Sequence, residues 1–148
     1  MILSIDQGTT GTTVLVLDRR ARIVARAYTE LPQHYPQPGW VEHDPAEILR
    51  VTSQTIARAL AAGRIAPRRL EAIGITNQRE TVIVWDRRTG RPVANAIVWQ
   101  CRRTAPMCER LKRRRLEPLF RRTTGLVLDA YFSGTKIRWL LDHVPGAR

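Results

Sequence analysis

The first thirty residues alternate between apolar runs and short polar breaks. Apolar side chains dominate positions 2–5 and 14–17, and a third run over 23–31 alternates between its two sides. Period-two alternation interrupted by short turns is typical of neighbouring strands in hairpins. The pattern therefore predicts an antiparallel meander of three strands.

A helix and a fourth strand are predicted next. Asp44, Pro45 and Glu47 stand at the N-cap, the first and the third positions, where helices prefer these residue types. Apolar and small side chains then recur at helical spacing as far as Gly63, which closes the helix. We predict that this helix crosses over to a short buried strand at 70–76.

The rest of the chain mixes predicted strands, turns and helices. The predicted segments are an ordered, proline-rich loop at 32–45, strands at 81–85 and 93–99 around a turn at 86–90, helices at 104–115, 116–122 and 135–143, and a loop or short strand at 124–132. A meander followed by crossover helices indicates an α/β protein with a mixed sheet.

Length and composition exclude several classes of protein. The 148 residues suit one domain, and no segment approaches the roughly 20 apolar residues of a membrane span. The run after Met1 lacks the basic leader of a signal peptide. Cys101 and Cys108 are predicted to lie on one helix about two turns apart, too far for a disulfide. Reduced thiols of this kind favour a cytoplasmic protein.

The net charge of +12 comes almost wholly from arginine, because Lys112 and Lys136 are the only lysines. A nucleic-acid-binding protein concentrates such charge in a stripe or patch. Here the densest cluster, at 110–115, is short, and the other arginines are spread over turns and polar helix faces. We therefore expect no nucleic-acid partner.

Candidate chemistry begins where the first strand ends. Asp6 leads through Gln7 into a turn with two glycines and four threonines, at 8–13. Backbone amides of such a turn suit phosphate oxygens, and threonine hydroxyls add neutral donors. A carboxylate beside phosphate needs a cation between them, so Asp6 indicates Mg²⁺. The alternative is a hairpin turn without a ligand.

A second polar cluster follows the predicted buried strand. Asn77, Gln78, Arg79 and Glu80 stand in a row, more than a simple hairpin turn requires. Ligands bind outside the carboxyl ends of strands in open α/β sheets, and an Arg–Glu pair can donate to and accept from hydroxyls. The alternative is a surface ion pair. Trp99, at the next strand end, is a ligand wall or a core residue.

One further motif is set aside. Ser133 and Lys136 match the S-x-x-K pattern of serine acyl-transferring enzymes. The companion S-D-N and K-T-G motifs are absent from the chain, so we do not assign that chemistry.

Five stretches resemble, in order and spacing, the amino-terminal part of glycerol kinases, which are carbohydrate kinases of the FGGY family. The stretches are 6–10, 38–45, 74–81, 95–104 and 129–136. The resemblance covers nearly the whole chain and implies the ribonuclease H-like, actin-like ATPase fold. The segments 77–81 and 99–103 distinguish glycerol kinases from related sugar kinases better than the opening loop does.

The resemblance implies an enzyme that uses ATP and Mg²⁺ to phosphorylate glycerol to sn-glycerol 3-phosphate. Asp6 would face Mg²⁺, and Thr9, Thr10 and Gly11 would contact the nucleotide phosphates, with Thr9 also near the transferred group. Thr13 departs from the family pattern, because many glycerol kinases have an arginine there that helps to hold the phosphates. Thr13 cannot supply that positive charge to the phosphates.

The resemblance also assigns the glycerol side. Arg79, Glu80 and Tyr131 would hold the glycerol hydroxyls, and Trp99 would lie against its carbons. Asp6 and Glu80 are expected to face a shared cleft. The full-length enzyme is expected to be a homo-oligomer.

Glycerol kinases are much longer than this chain. Residues 1–148 are therefore interpreted as the amino-terminal portion of the substrate and phosphate-binding domain, an incomplete domain with the second domain absent. The general base is expected beyond Arg148, so no catalytic residue is assigned within the chain, and we expect the fragment alone to be inactive. Uncovered sheet edges are also expected. The alternatives are a related polyol or sugar kinase, or a non-catalytic ligand-binding half-domain.

Overall fold

A computed structural model describes all 148 residues, which pack as two units. The first unit contains residues 1–33 and 44–78, and the second contains residues 34–43 and 79–148. Each unit has its own buried apolar cluster.

The chain forms six strands and four helices. In order, they are β1 (Ile2–Gln7), β2 (Gly11–Leu17), β3 (Ile23–Glu30), β4 (Glu42–His43), α1 (Pro45–Ala62), β5 (Ala72–Asn77), β6 (Ala96–Ile97), α2 (Ala105–Arg113), α3 (Glu117–Thr124) and α4 (Ser133–His143). A 3₁₀ helix spans Pro67–Arg69 between α1 and β5. None of the helices is both long enough and apolar enough to cross a membrane.

The sheet of the first unit has the strand order β3-β2-β1-β5. β1, β2 and β3 pair antiparallel, which confirms the predicted meander, and β5 pairs parallel to β1 after the α1 crossover. Alternate residues of β1 and β2 are buried in one cluster: Leu3, Ile5, Val14 and Val16. Each such side chain contributes about 1.5–3 kcal/mol to stability by leaving water.

Helix α1 begins as predicted. Asp44 Oδ1 accepts a hydrogen bond of 2.8 Å from the amide of Ala46, and Pro45 is the first helical residue. Gly63 ends the helix with φ −82°, so it is not there to adopt a left-handed conformation. A Cβ at Gly63 would lie 2.6 Å from Ile65 Cδ1 and 2.8 Å from Ala25 Cβ. Close packing is therefore the reason for this glycine.

Strand β5 differs from its prediction as a buried strand. All six of its residues are exposed, with Ile73 at 59% and Ile75 at 72%. The strand lies at the edge of the sheet, and α1 packs mainly on β2 and β3. The prediction of a buried strand was therefore wrong, because no layer of the described structure covers this edge strand.

The second unit contains little regular sheet. The predicted strands at 81–85 and 93–99 reduce to β6, which pairs with β4, and to isolated bridges. Val82 forms backbone hydrogen bonds with Ile97, and Val84 forms one with Val93. These pairs are two positions apart on the first segment and four on the second, so the second segment contains two extra residues. Extra residues on one side interrupt a ladder. The turn at 86–90 is confirmed, since Asp86 Oδ1 accepts from the amides of residues 88 and 89.

The helices of the second unit confirm the predicted segments to within two residues at each end. Cys101 precedes α2, so the prediction that both cysteines lie on one helix was wrong: α2 begins only at Ala105, with a proline in its first turn. Both thiols are buried and free, as predicted. Burial raises the pKa of the Cys108 thiol above its usual value.

Candidate functional site

The predicted site residues fall into two sets, one in each unit. The first set surrounds the loop between β1 and β2. Asp6 is exposed near the end of β1, where it pairs with Thr13 of β2 and Thr76 of β5. One exposed carboxylate fits Mg²⁺, which takes one or two carboxylates together with phosphate oxygens and keeps several waters. Asp6 would be the protein ligand in such an arrangement.

The loop after Asp6 is a tight turn. The Gly8 amide donates to Gly11 O over 2.9 Å, and Thr10 O accepts from the Leu31 amide over 3.0 Å. Neither glycine has a positive φ, so a left-handed backbone is not what requires them. A Cβ at Gly11 would lie 2.5 Å from the hydroxyl oxygen of Tyr28. Gly11 therefore serves the packing of β2 against β3.

The threonines of the loop separate by exposure. Thr12 is buried, and its Oγ1 lies 3.4 Å from Thr52 Oγ1 of α1. Thr10 is exposed and Thr9 is half-buried. The two threonines assigned to the nucleotide phosphates are thus more accessible than Thr12.

The second set is centred on Glu80. Its Oε2 accepts hydrogen bonds from the Ser133 amide, at 2.8 Å, and from the Ser133 hydroxyl, at 2.6 Å. Phe132, at the N-cap of α4, makes no side-chain capping bond, so the Glu80 carboxylate caps this helix. The surface ion pair between Arg79 and Glu80, left open as an alternative, is not formed; Arg79 is exposed.

Glu80 also has an uncommon backbone conformation. Its φ is +63°, in the left-handed region that non-glycine residues rarely adopt. The backbone carbonyl of Glu80 accepts a hydrogen bond of 2.8 Å from Lys136 Nζ. The same Nζ donates to the carbonyl of Tyr131. One ammonium group therefore joins two of the predicted glycerol-binding residues.

Lys136 is fully buried. Burial lowers its pKa from 10.5 to about 8, because desolvation penalises the charged form. The nearby carboxylate of Glu80 opposes this shift. Sequence reasoning did not assign Lys136 or Ser133 to the site, although the S-x-x-K pattern was the signal that contained both.

Aromatic rings adjoin these groups. Trp99 and Tyr131 meet edge to face, with ring centroids 5.8 Å apart. Tyr131 is 37% exposed, whereas Trp99 is half-buried and also packs against the apolar cluster of the second unit. Trp99 therefore borders the core and also contacts a candidate ligand residue, and its role as a ligand wall stays a prediction.

The segment that contains Trp99 is fixed by a buried arginine four residues later. The guanidinium carbon of Arg103 lies 3.9 Å from the ring centroid of Trp40 and 4.8 Å from that of Trp139. Arg103 Nη2 is 2.6 Å from Glu42 Oε1, and both side chains are largely buried. Cation–π contacts and a short ion pair thus hold this arginine on three sides.

The structure brings Glu80, Trp99 and Tyr131 into one connected cluster, with Arg79 next to Glu80 in the chain. A carboxylate and a phenol beside an indole ring suit a small molecule that has several hydroxyls and a short apolar backbone.

Comparisons with known proteins identify the family. A family model described as the N-terminal domain of the FGGY family of carbohydrate kinases matches residues 1–148. Glycerol kinases from Desulfitobacterium hafniense and Halorhodospira halophila are 58% and 60% identical over 147 residues. These matches cover 99% of this chain but only 30% and 29% of the relatives, so the chain spans about three tenths of their length.

Solved structures agree. Plasmodium falciparum glycerol kinase, crystallised with ADP, superposes with a TM-score of 0.92 and 36% identity over 99% of this chain and 29% of its own. A xylulose kinase from Lactobacillus acidophilus gives a TM-score of 0.87 at 22% identity, over 96% of this chain and 28% of its own, which shows a shared fold. The predicted ribonuclease H-like, actin-like fold and mixed sheet are confirmed. The chain therefore belongs to the FGGY family of carbohydrate kinases and matches the N-terminal domain of that family.

Proposed function

We propose that this chain is the phosphate-binding and substrate-binding part of an ATP-dependent glycerol kinase, which forms sn-glycerol 3-phosphate. The observation that carries the proposal is the cluster of Glu80, Tyr131 and Trp99, in which the carboxylate and the phenol-bearing segment are both held by α4. The names of the relatives that are 58% and 60% identical support glycerol as the acceptor.

On the glycerol side, each group has a distinct role. Both bonds from Ser133 end on Glu80 Oε2, so Oε1 is the oxygen that accepts from a glycerol hydroxyl. Arg79 and the Tyr131 hydroxyl supply donors, and the Trp99 ring lies against the carbons. A polyol whose hydroxyls cannot reach these protein groups gains no hydrogen bonds beyond those it already makes with water. The fixed carboxylate therefore selects for a polyol that places a hydroxyl at Oε1.

On the nucleotide side, Thr9 and Thr10 donate hydroxyl hydrogen bonds to the phosphates, and the loop backbone through Gly11 brings amides near them. Asp6 holds Mg²⁺, which neutralises charge on the phosphates when bound. Thr13 supplies no positive charge, so we expect nucleotide affinity to be low. That Asp6 and Glu80 share a cleft stays a prediction.

Phosphoryl transfer also needs a group that accepts the proton of the attacking hydroxyl. We assign no residue of this chain to that step, and we propose that the general base belongs to the longer enzyme. We further propose that the longer enzyme is a cytoplasmic homo-oligomer. The isolated chain is then a half-site that binds glycerol without turnover.

Calorimetry with glycerol tests this proposal. We expect the wild-type chain to bind glycerol in the millimolar range, and Glu80→Gln to lose binding while keeping its contacts with Ser133. Glu109→Gln is the matched control, because this exposed carboxylate pairs with Lys112 on α2. Xylulose is the competing ligand, and tighter binding of xylulose would favour a sugar kinase. Unchanged binding in Glu80→Gln would overturn the assignment of Glu80.

An activity assay tests the remaining part. We expect no ATP-dependent formation of glycerol 3-phosphate by the isolated 148 residues. Turnover by this chain would show that it contains its own base and would contradict the proposed division of roles.

A further inference from the structure

We infer that Lys136 and Ser133 are positioning residues for the glycerol site, and that they fix Glu80 and Tyr131 relative to each other so that one ligand can contact both. The inference rests on the proposed glycerol-binding roles of Glu80 and Tyr131. It gives Ser133 and Lys136, the two residues of the S-x-x-K pattern, a role other than acyl transfer.

The burial of Lys136 requires an explanation. Its side chain is fully buried, and its Nζ forms no ion pair with a carboxylate. Burying a charge is costly, and an apolar side chain of similar volume often replaces such a group without loss of stability. Packing alone would therefore favour a residue such as methionine. A cation that donates to two carbonyls does what an apolar side chain cannot do.

The two carbonyls belong to separate segments of the second unit. Glu80 is 56 residues from Lys136 in sequence, whereas Tyr131 is 5 residues away. The lysine ammonium group carries three donors that rotate about one bond, so a single Nζ can donate to both carbonyls at once. Lys136 therefore acts as a fixed point between the loop after β5 and the loop before α4.

Glu80 is held from a second side. Its left-handed conformation is disfavoured, and such conformations persist where surrounding contacts determine them. Lys136 holds its carbonyl, and Ser133 holds Oε2 of its carboxylate. Ser133 and Lys136 are three residues apart on the first turn of α4, where such residues share a face. Backbone and side chain of Glu80 are thus fixed by one helical turn.

Three single substitutions test the inference on the 148-residue chain. Lys136→Met removes both bonds to the carbonyls, Ser133→Ala removes the hydroxyl bond, and Lys112→Met alters the only other lysine, on α2. We expect Lys136→Met to weaken glycerol binding at least tenfold and Ser133→Ala about fivefold, as expected for lost hydrogen bonds to charged groups. Lys112→Met should stay within about twofold of the wild type.

Amide NMR spectra separate positioning from general stability. We expect Lys136→Met to shift the amide signals of Glu80 and Tyr131 while the signals of β1, β2 and β3 stay in place. Wild-type glycerol affinity in Lys136→Met would overturn the inference and leave the proposed function intact. If Lys136→Met does not fold, Ser133→Ala decides, and wild-type affinity there would overturn it. Absence of glycerol binding by the wild-type chain would overturn the proposed function itself.

Discussion

Ser133 donates two hydrogen bonds to the same oxygen of Glu80, from its amide at 2.8 Å and from its hydroxyl at 2.6 Å. The carboxylate of a residue in a left-handed conformation thereby caps α4. Glu80 accordingly has a structural role in addition to the role proposed for it in ligand binding. Substitutions at this position therefore need a stability measurement beside any binding measurement.

The left-handed conformation of Glu80 predicts that Glu80→Gly is more stable than Glu80→Ala. Glu80→Ala removes the cap of α4 but keeps the left-handed strain, and we expect it to lower the free energy of unfolding by about 1–2 kcal/mol. Glu80→Gly should recover about 1 kcal/mol of that loss, because glycine adopts φ +63° without a clash. Urea denaturation measures both. A glycine variant that is less stable than the alanine variant would contradict the assigned strain.

Gly63 and Gly74 form a second matched pair. Gly63→Ala is expected to destabilise the chain by about 1–3 kcal/mol, because the new Cβ would lie within 3.0 Å of the side chains of Ile65 and Ala25. Gly74→Ala should be neutral or stabilising by up to about 1 kcal/mol, since no atom lies within 4 Å of its Cβ position and its φ is not positive. Thermal unfolding of both variants checks this. Equal losses would refute the packing role of Gly63.

Adjacent arginines give the third comparison. Arg103 is 2% exposed and pairs with Glu42, so Arg103→Ala leaves a buried carboxylate without its partner and should cost about 3–5 kcal/mol. Arg102 is 55% exposed and pairs with Asp129, so Arg102→Ala should cost less than about 1 kcal/mol. Urea denaturation of the two variants measures the difference. Similar losses would contradict the cost assigned to leaving the Glu42 carboxylate without its partner.

Local signals in the sequence predicted much of the first unit. The alternation in β1 to β3 and the N-cap at Asp44 depend on neighbouring residues, and both predictions were confirmed. Whether β5 is buried or exposed was not predictable in this way. An apolar strand has the same sequence whether a layer covers it or not, and here Ile75 is 72% exposed.

The residues of the candidate site also differ in whether the sequence could predict their roles. Glu80 and Trp99 were identified from their positions at strand ends and Tyr131 from the family resemblance, and the structure connects all three. The roles of Ser133 and Lys136 depend on contacts with Glu80, which is 53 and 56 residues away in sequence. No spacing within the S-x-x-K pattern contains that information. The pattern contained both residues, but the acyl-transfer chemistry associated with it was not assigned.

The two lysines of the chain provide a fourth comparison, because their environments shift their pKa values in opposite directions. Burial lowers the pKa of Lys136 to about 8. Four nearby groups act in the opposite direction and raise it: Glu80, Cys101, Asp129 and Cys108. The hydrogen bond to Glu109 raises the pKa of Lys112 above 10.5. A ¹⁵N NMR titration of lysine side chains should therefore show two separate transitions, with Lys112 as the internal control. A single transition above pH 10.5 would contradict the burial of a charged Lys136.

The lowered pKa of Lys136 also predicts the direction in which the free energy of unfolding changes with pH. Between about pH 8 and pH 10.5 the unfolded chain keeps the Lys136 proton that the folded chain has released, so the contribution of this group to the free energy of unfolding rises with pH. Below pH 8 both states are charged and the burial penalty is complete. The stability of the wild type relative to Lys136→Met should therefore increase across this window, as urea denaturation at several pH values can measure. A difference that falls with rising pH would show that Lys136 is stabilised in its charged form, as by a carboxylate ion pair, and not held by the two carbonyls.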